Sequence, residues 1–262
     1  MSIVTGKAWR LADGTEIAVA LAEETAIAVT YDGTTHAVLM GSPADLEDFG
    51  MGFSLTEGIA RPDEIDDILP EPVAGGIDLR IWLRPEAGHR FLERRRSTVG
   101  PVGCGLCGVE TIEAAMRALP PVTGDCVISG ADLDKAVAAM DQGQALRDAT
   151  GASHAAGFFV PGHGLVALRE DVGRHNALDK LAGVLIRGGH GDVIGKGAVV
   201  ITSRVSVDLV QKCATLGAPV LIALAAPSSA AVAAADAAGI GLAARARSSE
   251  RAEIHTHAER FA

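Results

Sequence analysis

The sequence predicts an α/β protein in two parts. Three observations carry that reading: short β-rich runs around one strongly patterned helix come first, strands alternating with helices begin near Cys126, and 48% of the 262 residues are apolar, enough for proper cores without staples. The boundaries that follow are 1–125 for a small α+β domain and 126–262 for an α/β domain around a mostly parallel sheet.

In the first part, Ile17 to Leu21, Ala26 to Tyr31 and His36 to Met40 are β-rich, and Asp32-Gly33 is a turn signal, so an antiparallel meander is expected. Ser42 reads as the N-cap of a helix with Pro43 at its first position. Leu46, Phe49, Gly50 and Phe53 then share one face, and Gly58 ends the helix. Ile77 to Leu83 reads as a further strand and Arg90 to Gly103 as a mobile connection. Val109 to Leu119 reads as a helix stopped by Pro120-Pro121.

In the second part, strands are expected at Gly157 to Val160, Leu165 to Arg169, Ala198 to Thr202, Val220 to Leu224 and Ile240 to Ala246. Helices are expected at Leu133 to Arg147, Ala177 to Ile186, Val207 to Leu216 and Ala230 to Ala237. Three strand ends run straight into helix starts, at Gly173 to Asn176, Ser203 to Ser206 and Pro227 to Ser229, with Asn176 and Asp179 read as N-cap and N3. In open α/β sheets such turns gather along one edge, where helix N-termini offer N–H groups to anions. A phosphate-bearing ligand fits there.

The chemistry concentrates in Gly103-Cys104-Gly105-Leu106-Cys107-Gly108. Two thiols about one turn apart can carry redox chemistry, a metal or a transferable sulfur, and a place at a helix N-terminus favours the nucleophilic thiolate. Cys126 and Cys213 read as buried small hydrophobes. The glycines also satisfy G-x-G-x-x-G, but Pro101 and a polar stretch stand where a dinucleotide fold needs a buried strand. A structural zinc needs four ligands and only one Cys pair is present, while His257-x-Glu259 follows the cysteines, the reverse of the zinc-deaminase order. No zinc is therefore expected. A thioredoxin-like pair would need a strand leading directly into it, and Pro101-Val102-Gly103 is a poor match.

Asp and Glu outnumber Lys and Arg by 33 to 23, a net charge of −10, so a broad grip on nucleic acid or anionic membrane is not expected. Any anion must be held locally. No run reaches the ~18 apolar residues of a membrane span, nor does the N-terminus read as a signal peptide, so the cytoplasm is the expected compartment.

The run Arg169 to Gly183 (Arg-Glu-Asp-Val-Gly-Arg-His-Asn-Ala-Leu-Asp-Lys-Leu-Ala-Gly) and the Cys104 to Gly108 loop resemble the FdhD/NarQ sulfurtransferases, the formate dehydrogenase accessory proteins. Phe49 to Ile59, Thr150 to Ala155 and Ser203 to Lys212 extend the resemblance over nearly the whole chain. It implies a small N-terminal roll followed by a cytidine-deaminase-like, three-layer α/β domain, in a homodimer. It also implies a sulfurtransferase that takes persulfide sulfur from a cysteine desulfurase and delivers it to the molybdenum cofactor, bis(molybdopterin guanine dinucleotide), of formate dehydrogenase. Cys104 and Cys107 would be catalytic. The cofactor would lie on the strand-end turns, at Arg174, His175, Ser203, Arg204, Ser228 and Ser229, and on the run Arg245, Ala246, Arg247, Ser248, Ser249, Glu250 and Arg251, with guanine diphosphate nucleotides as partial mimics. In that last run an arginine replaces the family's phenylalanine. The contrasting expectation is a non-catalytic carrier that holds the cofactor and hands it to an apoenzyme.

Overall fold

The computed structural model describes residues 2–96 and 119–262. Strands β1 (Ile3–Trp9) and β2 (Glu16–Ala22) form a separate antiparallel ribbon. Strands β3 (Thr25–Tyr31), β4 (Thr34–Gly41), β5 (Ile65–Val73) and β6 (Gly76–Leu83) form a sheet ordered β4-β3-β6-β5. The alternation of Ile27, Val29 and Tyr31 on β3 and of Leu79, Ile81 and Leu83 on β6 turns one face inward. Helices α1 (Leu46–Thr56) and α2 (Pro85–Arg96) fill that face with Phe49, Phe53 and Phe91.

The larger sheet has the order β12-β11-β10-β9-β7-β8, from β7 (His154–Val160), β8 (Gly164–Asp171), β9 (Ala198–Ile201), β10 (Val220–Ala223), β11 (Gly241–Ala244) and β12 (Glu253–Thr256). Its short central strands are buried on both faces, as their unbroken apolar runs require. Val199, Ile201, Leu221 and Ala223 pack beneath α5 (Arg174–Arg187), α6 (Val207–Leu216) and α7 (Ser229–Ala238). Ala198, Val200, Val220 and Ile222 pack beneath α3 (Gly130–Gly143), which a short α4 (Ala145–Thr150) follows. Helices thus cover both faces, in three layers.

Several expectations are corrected. The sheet is parallel only across β9, β10 and β11, because the tight link at 161–163 forces β7 and β8 into a hairpin and β12 returns antiparallel to β11. Ser42 does not cap α1: its hydroxyl accepts the Val172 N–H (3.2 Å), and the helix begins after Asp45, whose φ is 52°. Gly173, not Asn176, precedes α5. The expected helix over Leu133 to Arg147 divides at Gln144, whose amide donates to the Met140 carbonyl (2.9 Å). Residues 90–96 are the second half of α2; 97–103 and the expected helix from Val109 lie outside the described residues as far as 118.

Helix α1 crosses α5 at two glycines. A Cβ on Gly52 would stand 1.7 Å from the Asp179 carbonyl oxygen, and one on Gly183 would stand 1.8 Å from that of Asp48, so only glycine permits this approach. Around the crossing the dense polar run 169–180 turns out to be a fastening. Arg169 and Arg187 both hold Asp48; Asp179 accepts from Thr56 (2.6 Å) and Lys212 (2.9 Å). Asp171 accepts from the Ser42 and Gly173 N–H groups and from Lys180 Nζ (2.6 Å), with both side chains fully buried. Most of that run therefore serves folding. Glu170 turns away from the crossing and accepts from the Leu146 and Arg147 N–H groups (2.7 and 2.9 Å) and the Ser153 hydroxyl (2.8 Å), which leaves Arg174 and His175.

Candidate functional site

Arg174 and His175 open α5 on the edge where β9, β10 and β11 end and β7 begins. There the strand-end turns are stitched side by side. The Ala155 N–H donates to Thr202 Oγ1 (3.0 Å), that of Val205 to the Ala226 carbonyl (3.2 Å), that of Ser228 to the Val205 carbonyl (2.9 Å) and that of Arg245 to the Ala225 carbonyl (3.1 Å). Two of the three helix starts lack side-chain caps: Gly173 offers no side chain to α5, and Ser206 makes no cap bond to α6. Their first-turn N–H groups carry the positive end of the helix dipole and suit an anion. The third start is occupied, since Ser228 Oγ accepts the Ala231 N–H (3.2 Å).

The expected site residues divide. Arg174, His175, Ser203, Arg204, Ser228 and Ser229 lie in the stitched turns, with Arg204, Ser228 and Ser229 exposed and Ser203 buried, its hydroxyl donating to the Arg204 carbonyl (3.0 Å). Arg245 and Arg247 are exposed beside them; Arg245 has φ 50° and lies 3.7 Å from Glu253. Ala246 is buried, and its N–H is bonded to the Ala223 carbonyl (3.0 Å). Ser248 leads into a 3-10 turn over Ser249–Arg251, in which Glu250 and Arg251 are exposed. Ser249 turns to α3, where its N–H and its hydroxyl both donate to Asp134 (2.7 Å each). It has no donor left for a phosphate. Cys104 and Cys107 lie outside the described residues.

One participant escaped the sequence reading. Asp208, in the first turn of α6, contacts His175 Nε2 across the two helix starts. Burial works against its charge, but the hydrogen bond and charge of His175 overcome this and lower its pKa to about 2. An acid in a first helical turn is the ordinary response to the helix dipole, so Asp208 carried no separate signal. His154, at the start of β7, is lowered below the usual histidine range by burial and by nearby Arg174 and His175.

The remaining cysteines are inert by environment. Burial raises Cys126 to about 11 and Cys213 to about 12. We expect both to escape alkylation by iodoacetamide in the native protein and to react once it is unfolded; labelling of either in the native state, read by peptide mass spectrometry, would contradict this burial. Among the described residues no group of three or more His, Cys, Asp or Glu could hold a metal ion, and no helix is long and apolar enough to cross a membrane.

Fold and edge together define an α/β protein whose parallel strands end in a row of stitched turns and helix starts flanked by arginines. The chain belongs to the FdhD/NarQ family, whose model matches residues 22–262, a range that includes Cys104 and Cys107. It is 48% identical over 244 residues to the sulfur carrier protein FdhD of Agrobacterium fabrum (92% of this chain, 89% of that one). It is 47% identical over 241 residues to that of Brucella abortus (91% and 88%). A crystal structure described as a proposed formate dehydrogenase accessory protein from Desulfotalea psychrophila superposes with a TM-score of 0.75 at 25% identity, over 99% of this chain and 98% of that one.

Proposed function

We propose that this chain is a sulfur carrier and sulfurtransferase serving a formate dehydrogenase, acting as a cytoplasmic homodimer. Cys104 accepts sulfur from a cysteine desulfurase, Cys107 is its partner thiol, and bis(molybdopterin guanine dinucleotide) is the acceptor. The observation that carries this reading is the 48% identity to a protein named sulfur carrier FdhD, joined to a Cys-x-x-Cys pair within the range that the family model matches. In the loading step the Cys104 thiolate attacks the outer sulfur of the donor's persulfide. A new S–S bond forms at Cys104, the donor's S–S bond breaks, and the donor cysteine leaves as a thiolate, so one sulfur moves without net oxidation.

The edge of the larger sheet fits a guanine diphosphate group at most of the expected positions. Arg174, Arg204, Arg245 and Arg247 supply charge, His175 offers a ring nitrogen, and the uncapped start of α5 supplies N–H groups. Ala246, Ser249 and Glu250 do not fit as phosphate donors, the first two because their donors are engaged and the last because it is anionic. When bound, the cofactor supplies the metal position that takes the sulfur; this chain's part is to hold the anion and present the thiol.

Incubation with a cysteine desulfurase and cysteine should add one sulfur atom at Cys104, read by mass spectrometry of the alkylated protein. Cys126→Ala and Cys213→Ala should load normally. Sulfur on neither Cys104 nor Cys107, or full activation of formate dehydrogenase by Cys104→Ala, would sink the assignment.

A further inference from the structure

We propose that Asp208 is a positioning residue: it fixes which ring nitrogen of His175 meets an anion at the sheet edge, and so couples anion binding there to protonation of the ring. The observation is the pairing of two side chains from two helix starts. His175 is the second residue of α5, Asp208 the second of α6, and Nε2 of the one faces the carboxylate of the other, with side-chain exposures of 21% and 12%. A carboxylate only accepts hydrogen bonds, and Asp208 stays ionised throughout the range in which proteins are handled. Hydrogen on Nε2 is the arrangement that makes this contact attractive whether or not the ring is charged.

The consequence falls on Nδ1, which no described residue hydrogen-bonds. In the neutral ring, with hydrogen committed to Nε2, Nδ1 is a bare lone pair and repels a phosphate oxygen. In the protonated ring Nδ1 carries hydrogen and donates a charge-assisted bond to the same oxygen. Without Asp208 the neutral ring is free to place its hydrogen on Nδ1 and remain a donor. The other histidine near the ring is His154 at the start of β7, which both His175 and Arg174 influence. His154 is tested by its own variant.

The binding arm of this inference rests on the reading of the edge as the cofactor site, so the test has a second arm free of ligand. In ¹⁵N NMR of the ligand-free full-length chain at a pH where His175 is neutral, the ring should be the Nε2–H tautomer in wild type and a mixture in Asp208→Ala. A mixture in wild type would overturn the proposal. In the second arm, calorimetry with guanosine diphosphate between about pH 5.5 and 8 should show affinity weakening by roughly tenfold more in wild type than in His175→Gln, which removes the ring and leaves the ligand's own titration. Asp208→Ala should reduce the dependence without abolishing it, since the ring still gains charge on protonation, Asp208→Glu should restore it, and His154→Gln should keep it. Thermal unfolding checks that each variant is folded. Equal pH dependence in wild type and His175→Gln would defeat the inference while leaving the cofactor edge standing. Absence of binding at either pH, with the expected tautomer, would remove the cofactor edge and the coupling to it.

Discussion

Replacing Asp171 with alanine should cost about 3–5 kcal/mol of folding stability, read as a lowered urea midpoint. The carboxylate is fully buried and holds the Lys180 ammonium at 2.6 Å, together with N–H groups of Ser42 and Gly173 and the Asn176 amide. Without it, Lys180 keeps one acceptor, the Ser42 carbonyl (2.9 Å), and a positive charge stays in the interior. Lys180→Met should be milder, about 2 kcal/mol, since Asp171 keeps its N–H donors and the new side chain fills the space. The order of the two losses is the test. Equal losses, or a greater loss for Lys180→Met, would mean that the N–H donors do not hold the charge.

Gly183→Ala should also destabilise strongly, by about 3 kcal/mol or more. The usual effect of alanine in a helix runs the other way, a gain of up to roughly 1 kcal/mol. Here the added carbon would lie 1.8 Å from the Asp48 carbonyl oxygen, and main-chain atoms of a packed helix cannot step aside as a side chain can. The helices must part, which strains the Asp48 contacts to Arg169 and Arg187 and those of Asp179 to Thr56 and Lys212. A urea midpoint equal to or above that of the wild type would show that α1 and α5 do not meet here. Gly52→Ala should behave alike, from the facing side.

Much of the fold was legible because burial imprints a period on the sequence. The double-faced apolar runs at Ala198 and Val220 and the spacing of Val207 to Leu216 marked their elements closely. What escaped had weaker imprints. Strand β1 is largely exposed on both faces, so Ile3 to Trp9 shows no clean alternation. Strand β5 carries Pro70 and Pro72, which a sheet edge tolerates and a sequence reading takes as breaks. Helix α2 has a polar majority, and its length beyond Arg90 is not written in any apolar stripe. The site was legible as turns at strand ends, since glycine, serine and helix starts are local signals. Its pairings were not: the contact of His175 with Asp208 joins residues 33 positions apart, and the capture of Ser249 by Asp134 joins residues 115 apart. The density of charge at 169–180 misled in one respect, because a fastening and a binding loop use the same residue types.

The burial of Cys126 and Cys213 bears on bookkeeping of sulfur within the molecule. Transfer between cysteines requires an ionised thiol that can approach an S–S bond end-on. Cys213 sits wholly enclosed on α6 beside Lys212, and Cys126 lies under α3; neither ionises readily nor can be reached. If, as we propose, sulfur is taken up at Cys104, it then has no internal sink, so loading per chain reports on the Cys104 to Cys107 segment alone. The same enclosure denies oxidants a second site from which to cross-link chains.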